Sequence, residues 1–151
     1  MTSNASDAGP RTLVLGYGNT LRSDDGFGWR VAAEFSRMVP GADSRAIRQL
    51  TPELAEAVSR ADLVLFVDAA ANGEPGQLCC REVLAGEAVS ALSHQMTPAR
   101  LLWLARSLYG GAARGIEVSV CGESFALGEG LSPAVEARLA EALRVVSQLA
   151  G

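Results

Sequence analysis

The chain has 151 residues and a net charge of -4, with a mass of 15.7 kDa and a pI near 5.0. Hydrophobic residues make up 48% and charged residues 20%, which excludes a disordered chain and suits one domain with one core. The acidic balance argues against a surface built to hold phosphate backbones, so nucleic acid is not an expected partner. No apolar stretch approaches the roughly 18 residues that a membrane span needs. Residues 1–10 are small and polar, lack an apolar signal core, and read as a loose tail ahead of a single domain over residues 11–151. The expectation is a cytoplasmic protein without a membrane partner, and nothing in the apolar pattern demands more than a monomer.

Extended and helical patterns alternate along the rest of the chain. Thr12 to Gly16 is a short apolar run stopped by glycine, the form of a buried parallel strand. The glycine-rich segment that follows, Gly16 to Gly26, leads into a helix with Phe27, Val31 and Phe35 on one stripe. Ser44 to Gln49 is a weaker strand. Thr51-Pro52 opens a helix with a hydroxyl at the N-cap and proline at the first helical position. Asp62 to Asp68 is the clearest strand, and Gln77 to Leu84 reads as an edge strand. Thr97-Pro98 opens another helix, Gly115 to Cys121 is a further strand, and Ser132-Pro133 starts a last helix striped by Val135, Leu139, Leu143 and Val146. Such alternation predicts an α/β fold, one mostly parallel sheet with helices on both faces. Ligands then bind beyond the carboxyl ends of the strands.

That rule selects Asp24 and Asp25 after the first strand, Asp68 at the end of the third, and His94 in the loop before the Thr97 helix. His94 is the only histidine, so any chemistry needing imidazole must use it. Either Asp24 or Asp25 could cap the following helix, yet one acid would suffice for that. Asp68 ends an apolar run, so its carboxylate needs a metal, a donor or exposure, or else the backbone N–H groups of Ala69 to Ala71. Two carboxylates and an imidazole make a three-ligand set with oxygen and nitrogen donors and an open position for substrate or water. The three cysteines include no C-x-x-C, and all three are expected as small buried hydrophobes. A dinucleotide fingerprint begins at Gly16-Tyr17-Gly18 but fails where Leu21 replaces the third glycine, and the acid expected after the second strand is missing. A P-loop is excluded because the chain has no lysine. Gly122 to Ala126 resembles a nucleophile elbow, but alanine stands where its closing glycine should be.

The segment Leu15 to Gly28, L-G-Y-G-N-T-L-R-S-D-D-G-F-G, resembles the N-terminal signature of the hydrogenase maturation proteases. F-V-D-A-A around Asp68, S-H-Q-M around His94 and G-L-S-P-A-V-E near the last helix agree in the same order, so the resemblance covers nearly all of the chain after Pro10. It implies a three-layer α/β/α sandwich with a short twisted sheet of about five strands. It also implies an endopeptidase that removes the C-terminal extension of a nickel-loaded hydrogenase large-subunit precursor, the expected partner. Residue by residue, the implied nickel ligands and catalytic residues are Asp25, Asp68 and His94, with the nickel carried by the substrate. One departure is Gln49-Leu50-Thr51-Pro52-Glu53, where many members have a glycine-rich loop. The competing expectation is a Rossmann-like module that binds a nucleotide or small ligand without hydrolysis.

Overall fold

The computed structural model describes residues 10–87 and 95–151. The expected tail, save Pro10, and His94 lie outside the described residues. Five strands form one sheet: β1 (Thr12–Tyr17), β2 (Asp43–Ile47), β3 (Leu63–Ala70), β4 (Leu78–Val83) and β5 (Arg114–Cys121). Their order is β2-β1-β3-β5-β4, parallel throughout except for β4, which runs antiparallel to β5 at the edge.

Side-chain alternation along the strands assigns the two faces. Val14, Leu65, Val67, Val118 and Val120 pack beneath α1 (Phe27–Met38), α4 (Pro133–Glu136) and α5 (Leu139–Ala150), meeting Phe27, Val31, Phe35, Val135, Leu139 and Val146. Leu13, Leu15, Val64 and Phe66 point the other way, onto α2 (Ala55–Ser59) and α3 (Pro98–Tyr109) through Ala55, Val58, Leu101 and Leu102. This is the expected α/β/α sandwich. The chain leaves β1 for β2 on one side through α1, then crosses beneath the other face through α2 to β3 on the opposite side of β1. The order therefore reverses between β1 and β3, and a crevice opens there at the carboxyl ends.

Several local expectations are corrected. Cys79 and Cys80 are exposed, and only Cys121 is buried. β4 is an edge strand whose middle residues lie outside both core clusters, so the apolar run around the cysteine pair does not mark burial. The helix after Thr51 begins as a 3-10 turn over Pro52–Leu54, without a capping bond from the Thr51 hydroxyl. Thr97 does cap, accepting the Arg100 N–H at 3.1 Å. The last helix is split at Ala137 and Arg138, where the Arg138 guanidinium donates to the Gly76 carbonyl at 2.9 Å. The apolar stripe continues across the break, which is why the sequence pattern shows none.

Candidate active site at the β1–β3 crevice

The first site loop is built on close backbone approach. A side chain at Gly18 would collide with the Asp25 carbonyl, and one at Gly28 with the Val67 carbonyl. Glycine at these positions lets the turn fold back on β1 and lets α1 sit directly on the strand ends. Ser23, at φ 50°, takes the left-handed region. It is held there by its N–H to the Gly128 carbonyl at 2.9 Å and its hydroxyl to the Ala126 carbonyl at 2.8 Å.

Neither aspartate of the pair caps α1, whose N-cap is Gly26. Asp24 is fully buried. It accepts backbone N–H groups from Glu123 at 2.8 Å, Ser124 at 3.0 Å and Ser132 at 2.7 Å, and the Ser132 hydroxyl at 2.8 Å. Burial alone would raise its pKa, but these four bonds outweigh that and hold the carboxyl below its ordinary value. Asp24 is a structural clamp that ties the segments after β5 and before α4 to the site loop. The elbow-like Gly122 to Ala126 segment is thus the clamp's donor, and Ser132 spends its hydroxyl on Asp24 rather than on its own helix.

Asp25 faces elsewhere. Its Oδ2 accepts the Asn19 N–H at 2.7 Å, and the residue lines a cavity of about 760 Å³ at the strand ends. Asp68 lines the same cavity from β3. Tyr17 and Asp68 continue the Leu13-Leu15 and Val64-Phe66 parity on adjacent strands, so their side chains meet, and the Tyr17 hydroxyl donates to Asp68 Oδ2 at 3.0 Å. Asp68 does not accept from Ala69 to Ala71, because β3 runs on to Ala70. Its Oδ1 is buried with no hydrogen-bond partner among the described residues. Burial, then the charge of Glu117 from β5, pushes the Asp68 pKa up to about 8, while the Tyr17 bond and Arg81 work the other way. Burial and the Asp68 charge likewise raise the Tyr17 pKa. Arg81 neutralises Glu117 across the β4–β5 pair, Nε to Oε1 at 3.0 Å.

Sequence reasoning missed Tyr17 and Glu117. The signal for Tyr17 is strand parity together with register, and parity alone is readable before a fold is known. Asp25 and Asp68 are hard oxygen donors, and a buried carboxylate oxygen without a donor is the kind of group that a proton or a cation relieves. Among the described residues, no three His, Cys, Asp or Glu side chains gather closely enough to hold a metal ion. The third member of the expected set, His94, lies outside them. Gln95 and Met96, which follow it in sequence, line the cavity.

No protein-family model matches the chain, and no curated protein matches it. Solved structures do. The hydrogenase maturating endopeptidase HybD from E. coli is 27% identical, with a TM-score of 0.68, over 92% of this chain and 91% of that one. The chain resembles the hydrogenase maturation endopeptidases. The hydrogenase 2 maturation peptidase from Thaumarchaeota archaeon SCGC_AB-539-E09 is 26% identical, with a TM-score of 0.70, over 93% of this chain and 98% of that one. The [NiFe] hydrogenase maturation protease HycI from Thermococcus kodakarensis KOD1, 23% identical with a TM-score of 0.72 over 95% and 92% of the two chains, adds to the likeness of fold. Likeness to maturation endopeptidases over nearly the whole chain supports a protease role, with the β1–β3 crevice as the place to look for its chemistry. Among the described residues, no helix is long and apolar enough to cross a membrane.

Proposed function

We propose that this protein is an endopeptidase that removes the C-terminal extension of a hydrogenase large-subunit precursor already loaded with nickel. The observation that carries the reading is the pairing of Asp25 and Asp68, brought from different strand ends to one cavity at the switch point of the sheet. Likeness to HybD over both chains supports the same direction. Asp25, Asp68 and His94 would hold the nickel that arrives with the substrate, as proof that insertion is complete. Nickel held there would supply Lewis acidity toward the scissile carbonyl. The chain's own residues do the positioning. The Asn19 N–H orients the Asp25 carboxylate, the Tyr17 hydroxyl orients that of Asp68, and the Asp24 clamp holds the loop that presents Asp25.

The test is an intact-mass assay on purified precursor with and without nickel. Loss of the C-terminal peptide from the nickel-loaded form alone is the expected result. Equal cleavage of both forms would refute the nickel checkpoint, and cleavage of neither would refute the protease reading.

A further inference from the structure

Two arginines line the same cavity as the acids: Arg22, from the loop after β1, and Arg48, which follows β2. Both are exposed. Among the described residues neither guanidinium makes an ion pair or hydrogen bond, whereas Arg30, Arg45, Arg60, Arg81, Arg114 and Arg138 all pair with carboxylates. Their backbones are pinned. The Arg22 carbonyl accepts the Asp25 N–H at 3.0 Å, and Ile47, next to Arg48, accepts the Gly18 N–H at 3.2 Å through its carbonyl. Leu50 is buried, which anchors the far side of the Arg48 turn. Asp25, the cavity-lining acid nearest in sequence to Arg22, instead accepts the Asn19 N–H.

The cavity wall therefore carries Asp25 and Asp68 at the strand ends and, on short anchored turns, two guanidiniums that are unpaired among the described residues. A planar, always-charged guanidinium matches a carboxylate with two donors, and two of them define an anionic subsite. The net charge of -4 gives the protein no general attraction for acidic peptide, so such affinity has to come from a local feature. We infer that Arg22 and Arg48 form a subsite for carboxylate side chains of the substrate polypeptide, so that the cavity takes an acidic segment beside the group held by Asp25 and Asp68. This rests on the protease reading for the identity of that polypeptide, but the subsite itself is testable without cleavage.

The probe is a fluorescein-labelled glutamate-rich peptide, with binding read by fluorescence anisotropy at low and at moderate salt. Wild-type protein should bind it, and R22A/R48A should bind about tenfold more weakly, with a shallower salt dependence. The control is R37A/R106A, which removes the same charge from two exposed arginines outside the cavity and should leave affinity within about twofold. D25N should bind the peptide at least as tightly as wild type while losing precursor cleavage, which separates failure of the subsite from failure of the protease reading. Equal weakening by the two double variants, no effect of R22A/R48A, or no binding by wild type would overturn the subsite.

Discussion

Asp24 and Asp25 are neighbours in sequence, sit in one 3-10 turn, and have opposite surroundings. Asp24 is sealed from solvent with four donors on its two oxygens, whereas Asp25 opens onto the cavity with one backbone donor. Asp68, across the crevice, holds one donor and leaves a buried oxygen without any among the described residues. A carboxylate whose oxygens are satisfied by backbone N–H groups is committed to the fold, and one left short of donors is free for chemistry. The two-acid motif is thus a division of labour in which one acid builds the loop and the other is presented by it.

The largest expected effect breaks the structural half of this comparison. Asp24→Ala leaves three part-buried N–H groups and a hydroxyl without their shared acceptor, and should cost about 2–4 kcal/mol in urea unfolding. A loss below about 1 kcal/mol would mean that the clamp is not formed as described. Next comes Asp25→Asn, whose amide oxygen can still accept the Asn19 N–H. Stability should stay within about 1 kcal/mol of wild type while cleavage of nickel-loaded precursor falls by about a hundredfold or more. If the two substitutions had the same effect on folding, the division between the acids would be gone.

The smallest effect sharpens the contrast between Asp24 and Asp68. Asp24 is held below its ordinary pKa, so its contribution to stability is present at neutral pH and is lost on acidification. Asp68 has the opposite sign. Its folded pKa of about 8 lies above the ordinary 3.8, so the folded state keeps that proton longer and loses stability as pH rises through this window. Asp68→Asn removes the titration, and its melting temperature relative to wild type should climb as pH rises between about pH 4 and pH 8. A difference that stays flat with pH would contradict the buried, Glu117-facing carboxylate described here.

Much of the architecture was legible in the chain. Apolar runs ended by glycine or acid marked β1 and β3 to within a few residues, because a buried central strand must be apolar along most of its length, while weaker or alternating patterns marked β2, β4 and β5. The stripe through Phe27, Val31 and Phe35 marked α1 for the same reason of burial. Exposure of Cys79 and Cys80 was not legible even with β4 read as an edge strand, because an edge strand can be covered by another element or left open and its own residues do not say which. Nor was the break between α4 and α5, which leaves the stripe intact.

Of the candidate site, sequence alone determined which residue types stand near strand ends: the acid pair after β1, Asp68 after an apolar run, and a lone histidine before a helix. Those are consequences of local pattern and of the rule that loops at the carboxyl ends carry ligands. Only the tertiary structure shows Asp24 buried and satisfied while Asp25 lines the cavity, since the donors that satisfy Asp24 come from residues about a hundred positions away in sequence. It alone set Tyr17 and Glu117 against Asp68, because strand order and register bring β1 and β5 to the two sides of β3. Long-range hydrogen bonding and register are properties of packed elements, and no window of sequence contains both partners.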